Sequence, residues 1–231
     1  FLAELAFTRS MRGAFCPDRI RVREDGRFTA VPRYPGRLHL DYALDEERFL
    51  HEQLGARSVP VRGPKHAEAL RRLLAEGAEL DLLHYAGHGE ADDREVYLVM
   101  GGKQQSGTFV AALLPTGAAR PIRLVADDGG RALVFINACK TGRRVAALSG
   151  ERSWARTFLK KGGAGAFVAP LWSVGDQRAC YFSKEFYRAL QLGGTFAEAT
   201  LSARKAARAA GDPSWLSYTV YASPHAVVQF L

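Results

Sequence analysis

The chain has 231 residues, of which 47% are hydrophobic and 24% are charged. This composition is typical of a folded globular domain and excludes a disordered or fibrous protein. The formal net charge is +8, but the basic residues are scattered and no aromatic platform is interleaved with them. We therefore predict that the chain does not bind nucleic acid directly.

The sequence contains no apolar run of about 18 residues, so we predict no membrane-spanning helix. Its three cysteines, Cys16, Cys139 and Cys180, are an odd number without metal-type spacing. This argues against a disulfide framework and predicts a reducing compartment, the cytoplasm. Cys16 and Cys180 are interpreted as small buried hydrophobic residues. Because the chain starts at Phe1 rather than with methionine, we expect it to be a piece of a longer protein.

In chain order, the pattern predicts alternating strands and helices. Residues 1–26 carry turn signals and are interpreted as a hairpin or a linker from an upstream domain, which leaves 27–231 as one domain. The predicted strands are 28–32, 58–61, 80–85, 96–100, 132–137, 164–170 and 215–221. The predicted helices are 45–54, 65–76, a short one at 108–114, 153–161, 176–192 and 195–210. Apolar strands that alternate with helices are typical of a mainly parallel sheet covered on both faces.

Two of the predicted strands are followed by residues that can carry chemistry. His88 lies between two glycines after the strand at 80–85, and Cys139 follows the strand at 132–137. Because ligand sites in parallel sheets lie beyond the carboxyl ends of the strands, we expect both residues at one edge. A reactive cysteine with a histidine on a separate strand is the general arrangement of a cysteine hydrolase.

The four-residue spacing of His84 and His88 raises the alternative of a metal site. The corresponding zinc pattern requires a helix with a glutamate between the histidines, whereas the sequence YAG intervenes here. Further ligands are missing nearby, so we predict no metal site. We interpret His84 as a buried histidine held by hydrogen bonds. The glycines beside His88 are expected to give backbone freedom and to let a substrate approach closely.

The segments HYAGHGE (84–90) and FINACKTG (135–142) resemble the His-Gly and Ala-Cys motifs of caspase-like cysteine peptidases. The closer resemblance is to the bacterial CHAT family, caspase-like domains often found beside tetratricopeptide repeats. The segments APLWSVGDQRACYFSKEFYRAL (169–190) and SWLSYTVYASP (214–224) are similar to later parts of that family, so the resemblance covers 27–231. The sequence departs from the caspase box, since Asn137 replaces a glutamine and two residues separate Cys139 from Gly142.

The resemblance implies a caspase-like three-layer sandwich, in which a mainly parallel sheet carries helices on both faces. It also implies a cysteine endopeptidase that needs no metal or organic cofactor. Cys139 would be the nucleophile and His88 the general acid and base. Backbone N–H groups of Gly89 and Cys139 would hold the oxyanion, and Trp172 and Ser173 would shape the substrate cleft.

The expected partner is a protein substrate in bacterial signalling or defence, under the control of an attached or associated repeat or sensor domain. Two other interpretations stay open, namely a catalytically inactive caspase-like scaffold and a nucleic-acid-binding module supported by net charge alone. The residue preferred at the cleavage site is undecided, because acidic and basic residues both flank the motifs: Glu90, Asp92 and Asp93, and Lys140, Arg143 and Arg144. Asp176 is expected to cap the helix that follows it.

Overall fold

A computed structural model describes residues 4–59, 64–76, 80–91, 96–105, 108–115, 122–140, 154–209 and 216–231. The helices in these ranges are α1 (Asp41–Leu54), α2 (Pro64–Glu76), α3 (Trp154–Arg156, continued by a π-helical turn over Thr157–Lys161), α4 (Asp176–Gln191) and α5 (Phe196–Ala209). The strands are β1 (Arg19–Val22), β2 (Arg27–Ala30), β3 (Arg57–Ser58), β4 (Leu82–Ala91), β5 (Val96–Gln105), β6 (Thr108–Pro115), β7 (Leu133–Lys140), β8 (Ala166–Pro170), β9 (Tyr218–Tyr221) and β10 (Val227–Phe230). Within the same ranges, each helix falls short of the length and apolarity that crossing a bilayer requires.

A mostly parallel sheet forms the centre of the molecule, with its main path in the order β3-β2-β4-β7-β8-β9. The strands from β3 to β8 on this path are parallel, and β9 is antiparallel to β8. The hairpin of β5 and β6 joins through an antiparallel pairing of β5 with the end of β4. The predicted mainly parallel sheet is therefore confirmed.

Helices cover both faces of this sheet because alternate strand residues point to opposite sides. On one face, α1, α4 and α5 pack on strand residues such as Leu133, Phe135 and Val168. On the other face, α2 and α3 pack on Leu83 and Val134. Each fully buried leucine or phenylalanine contributes about 1.5–3 kcal/mol to folding. The expected three-layer arrangement is confirmed.

The segment ahead of residue 27 pairs with a distant part of the chain. β1 is parallel to β10, with Arg19 in register with Val227. The Arg9 N–H donates to the Val220 carbonyl at 2.7 Å, beside β9. β1 is thus not part of a hairpin with its sequence neighbour, while the domain boundary at residue 27 stays a prediction.

Several of the predicted elements differ from the structure in their bounds or their type. β4 extends to Ala91 and β7 to Lys140, so His88 and Cys139 lie within strands rather than after them. Ladder hydrogen bonds use backbone groups, and pairing therefore continues through polar residues. The range predicted as a short helix at 108–114 is strand β6, because its pairing with β5 overrides local preference. β10 was not predicted.

Candidate active site

His88 and Cys139 are register partners on the two central strands. β4 and β7 are parallel, and their pairing runs from Leu82 with Leu133 up to His88 with Cys139 and one residue beyond. Neighbouring strands lie about 4.8 Å apart. The structure thus places the backbones of the two predicted residues side by side near the carboxyl ends of adjacent strands. The side chain of Cys139 lies outside the described part of the chain, and the catalytic roles of both residues stay predictions.

Two buried tyrosines hold the backbone of His88. The His88 N–H donates to the Tyr34 hydroxyl at 3.0 Å, and the Tyr85 hydroxyl donates to the His88 carbonyl at 2.8 Å. Burial raises the pKa of both Tyr34 and Tyr85, so both hydroxyls keep their protons at neutral pH. The peptide groups on either side of residue 88 are therefore fixed. Sequence reasoning missed both tyrosines.

The same tyrosines explain the glycine at position 87. A Cβ atom on Gly87 would lie 2.5 Å from the Tyr34 hydroxyl oxygen and 2.8 Å from that of Tyr85. The backbone of Gly87 is not in the left-handed region. Its role is therefore to admit two hydroxyl groups, and the expectation that it supplies backbone freedom is wrong.

A backbone carbonyl fixes the imidazole of His88. The Nε2 atom lies 2.7 Å from the Leu38 oxygen, and the ring packs edge-on against Tyr34 with 4.5 Å between centroids. Because a carbonyl only accepts, Nε2 carries the proton, and Nδ1 is the nitrogen that accepts one. Leu38 ends a 3₁₀ turn that begins at Gly36, where φ is +54° and favours glycine.

Trp172 and Ser173 follow β8, the next strand along the sheet. Both are exposed, and the Trp172 side chain at 45% relative exposure is not a core residue. The Leu171 N–H donates to the Ser217 carbonyl at 2.7 Å, which ties this loop to the start of β9. Since β4, β7 and β8 are parallel, these residues share the edge that carries His88.

Gly89 lies where β4 changes its pairing. It is buried and in register with both Lys140 of β7 and Leu98 of β5. Glu90, one of the acidic candidates for recognising a basic substrate residue, is exposed. The side chain of Lys140 lies outside the described part of the chain, as do the remaining candidates Asp92, Asp93, Arg143 and Arg144.

His84 belongs to the core beneath the site. Its Nε2 atom lies 2.9 Å from a carboxylate oxygen of Glu46, and its Nδ1 atom lies 3.1 Å from the Tyr187 hydroxyl. Both ring nitrogens are therefore engaged by protein groups, and the interpretation of His84 as a buried, hydrogen-bonded histidine is confirmed. In the described ranges, no group of three or more His, Cys, Asp or Glu residues is arranged to hold a metal ion.

Asp176 caps a different helix from the one expected. Its Oδ2 atom accepts a hydrogen bond of 2.9 Å from the Tyr42 N–H at the start of α1, whereas the N-cap of α4 is Gly175. The Gln177 side chain also donates to the Tyr42 hydroxyl at 2.9 Å. The starts of α1 and α4 are thus joined next to the loop that carries Trp172.

Replacing Asp176 by alanine is expected to lower the free energy of unfolding by about 1 kcal/mol, because the cap of α1 is lost. Burial raises the pKa of Asp176, although the Tyr42 N–H opposes this. The folded state therefore binds a proton at the Asp176 carboxylate more readily than the unfolded state does. The contribution of Asp176 to the free energy of unfolding thus increases as the pH falls through the raised pKa.

The Asp176→Asn variant keeps the acceptor without the charge, so it should be more stable than wild type at pH 7. This advantage should shrink towards pH 4, as measured by denaturant unfolding at both values. Equal stability of wild type and Asp176→Ala would contradict the cap.

Comparison with known proteins identifies the family. The family model described as the CHAT domain matches residues 4–225. The chain belongs to the CHAT domain family. The match includes residues 4–26, which the sequence motifs did not cover. No curated protein matches the sequence.

Two of the solved structures similar to this CHAT domain contain gingipain R (RgpB). The Arg-specific cysteine proteinase gingipain R (RgpB) is 12% identical with a TM-score of 0.53, over 98% of this chain and 51% of that chain. A complex of the pro- and mature domains of RgpB from Porphyromonas gingivalis is 13% identical with a TM-score of 0.55, over 89% and 49%. The CHAT domain thus spans about half the length of these chains. The likeness establishes the fold, which is caspase-like as the sequence resemblance implied.

Proposed function

We propose that this CHAT domain is a caspase-like cysteine endopeptidase with Cys139 and His88 as its reactive pair. The observation that carries the proposal is their register pairing on adjacent parallel strands. The hydrogen bond from Nε2 of His88 to the Leu38 carbonyl adds to it, since it leaves Nδ1 to accept a proton. A cysteine and a histidine at paired backbone positions near the carboxyl edge of the sheet support a role in nucleophilic attack on a carbonyl carbon.

In the proposed mechanism, Nδ1 of His88 takes the proton of the Cys139 thiol. The thiolate attacks the carbonyl carbon of the peptide bond and forms a tetrahedral oxyanion. When the C–N bond breaks, His88 returns the proton to the leaving amine. A water molecule, deprotonated by His88, then hydrolyses the thioester and releases Cys139. The Leu38 carbonyl stabilises the imidazolium form because it accepts the Nε2 hydrogen bond throughout.

Backbone N–H groups of Gly89 and Cys139 are the proposed donors to the oxyanion. One such donor contributes on the order of 3 kcal/mol in the transition state. Trp172 and Ser173 are proposed to line the substrate cleft, where an extended peptide adds as a strand. The exposed indole of Trp172 offers an apolar wall to a substrate side chain.

The proposed substrate is a protein in bacterial signalling or defence, and an attached or associated repeat or sensor domain is proposed to control access to it. The family assignment supports this setting, because CHAT domains are often found beside tetratricopeptide repeats.

The test is cleavage of a pooled peptide library by the wild-type chain and by the Cys139→Ala variant. Wild type should cleave, and Cys139→Ala should be inactive with an unchanged circular dichroism spectrum. Cleavage that persists in Cys139→Ala would show that another residue is the nucleophile.

Labelling with a peptidyl chloromethyl ketone at pH 7 separates an enzyme from an inactive scaffold. Cys139 should be modified selectively, because burial raises the pKa of Cys180 to about 12 and also raises that of Cys16. In a scaffold, Cys139 would be labelled no faster in wild type than in His88→Ala, because no base would activate it.

A further inference from the structure

A buried polar network lies on the two strands that carry His88 and Cys139. Glu46 of α1 is only 1% exposed. Its carboxylate lies 2.9 Å from Nε2 of His84, and each of its oxygens accepts a 2.9 Å hydrogen bond from Nδ2 of Asn137. One carboxylate thus bridges β4 and β7, close below the reactive pair.

The network also holds the other end of Asn137. The Tyr218 hydroxyl of β9 donates to Oδ1 of Asn137 at 2.6 Å, and the Tyr218 ring stacks on Phe182 of α4 with 3.7 Å between centroids. Because both ends of its amide are bonded, the side chain of Asn137 is confined to one rotamer. The backbone that leads from Asn137 to Cys139, two residues later, is anchored as a result.

The network is not needed to attach α1 to the sheet. Around it, this face of the sheet is apolar, with Leu82, Leu133 and Val168 buried. Burying a carboxylate and an imidazole costs desolvation energy that their hydrogen bonds only offset, so apolar side chains would hold the helix as strongly. Hydrogen bonds add fixed lengths and directions. The network therefore fixes how β4 and β7 are aligned along the strand direction, and it does not add to the free energy of folding.

The network lies on the same face of the sheet as positions 88 and 139. Alternation along a strand assigns positions 84, 86 and 88 of β4 to one face, and positions 135, 137 and 139 of β7 to the same face. Between the network and His88, Ala86 packs against Ala43 of α1. The α1 helix therefore contacts β4 at His84 and again at Ala86. The 3₁₀ turn that precedes α1 binds the ring of His88 through the Leu38 carbonyl.

We infer that Glu46 is a positioning residue for the reactive pair. Through Asn137 and His84, its carboxylate sets how the strand ends that carry Cys139 and His88 are aligned along the strand direction. This inference rests on the proposed function, because it concerns the alignment of the same thiol and imidazole. Glu46 itself acts only through these neighbours.

The test is the Glu46→Gln variant, which keeps the side-chain volume. One of the two carboxylate oxygens that accept hydrogen bonds is replaced by an amide group that donates them. The probe is iodoacetamide at pH 7, with the rate at each cysteine measured by mass spectrometry. A misplacement of about 1 Å costs about 100-fold in rate, so alkylation of Cys139 should slow by about 10- to 100-fold. On a library peptide, kcat should fall while KM stays within about twofold, as expected for an interaction that acts on the chemical step.

Glu47→Gln is the matched control. Glu47 is the next residue of α1 and also buried, but it binds Arg33 at 2.6 Å and the Ser58 hydroxyl at 2.8 Å, away from β4 and β7. Its loss should lower the stability of α1 and leave the Cys139 rate at the wild-type value. An equal slowing in Glu47→Gln would overturn the inference, because any buried glutamate of α1 would then have the same effect.

Tyr218→Phe is the second variant, and it decides the question if Glu46→Gln does not fold. It removes one hydroxyl and its hydrogen bond to Asn137, so the Cys139 rate should fall about fivefold, the equivalent of one hydrogen bond. Wild-type rates in this variant would overturn the positioning role of the network and leave the proposed function intact. A wild-type Cys139 that reacts no faster than Cys16 would overturn the proposed function instead.

Discussion

Replacing His88 with alanine is expected to lower kcat/KM for peptide cleavage at pH 7 by about 10²- to 10⁴-fold. In the proposed mechanism, Cys139 then lacks its general base and the leaving amine lacks its proton donor. Alkylation of Cys139 by iodoacetamide at pH 7 should also slow. Cleavage assays and alkylation rates at pH 7 measure the two effects.

His39→Ala is the control for this prediction. His39 is exposed, follows Leu38 in the chain, and pairs with the Asp41 carboxylate at 3.1 Å. Its replacement removes an imidazole near the same edge that has no role in the proposed mechanism. Cleavage should therefore continue at the wild-type rate. If His88→Ala were as active as His39→Ala, His88 would not be the general base.

Replacing Gly87 with alanine is expected to lower the free energy of unfolding and to stop cleavage. The new methyl group would lie 2.5 Å from the Tyr34 hydroxyl oxygen, well inside contact distance, and 2.8 Å from that of Tyr85. Inserting a methyl group into a packed site typically costs about 1–3 kcal/mol. The displaced tyrosine would also release the His88 N–H, so cleavage should be lost in the fraction that remains folded. Denaturant unfolding and the cleavage assay measure both losses.

Two further variants test the cause of this loss. Adding Tyr34→Phe to Gly87→Ala removes the closest atom, and part of the stability should return. Gly175→Ala serves as the control, because its nearest new contact is the end of the flexible Arg178 side chain at 3.3 Å. Its expected cost is below about 1 kcal/mol. A Gly87→Ala variant as stable as Gly175→Ala would contradict the steric role of the tyrosines.

The sequence predicted those parts of the fold that depend on neighbouring residues. The apolar strands and amphipathic helices gave the layered arrangement. The segment TFAE (195–198) has the capping-box pattern, and the box is present before α5: the Thr195 N–H donates to Glu198 at 2.8 Å, and the Glu198 N–H donates to the Thr195 hydroxyl at 3.3 Å. These signals are contained within a few residues, so pattern reasoning detects them.

Features that depend on pairing between distant segments were predicted less well. The ends of β4 and β7 read as polar turns, although their backbones continue to pair up to Gly89 and Lys140. The apolar range of β6 read as a helix because its partner β5 is not visible in local periodicity. Strand pairing depends on the partner strand, and a single sequence window does not contain it.

The residues that support the candidate site were the least predictable. Glu46 lies in an amphipathic helix where a charged residue is expected to face solvent. It is buried because it binds His84 and Asn137, and these partners lie 38 and 91 residues away in sequence. Tyr34 contacts the His88 backbone across 54 residues. The sequence could propose His88 and Cys139 because their motifs are short, whereas Tyr34 and Glu46 have no local signature.

The acceptor that orients His88 is a main-chain atom, and this has a consequence for mutagenesis. Every amino acid at position 38 provides the same oxygen, so an alanine scan would not detect its contribution. Replacing the amide between residues 38 and 39 by an ester would weaken the acceptor without changing a side chain, and it would also remove the His39 N–H that donates to the Gly36 carbonyl at 3.1 Å. The orientation of the ring is therefore encoded in the course of the loop between β2 and α1, where changes in loop length disturb it more than changes in residue type.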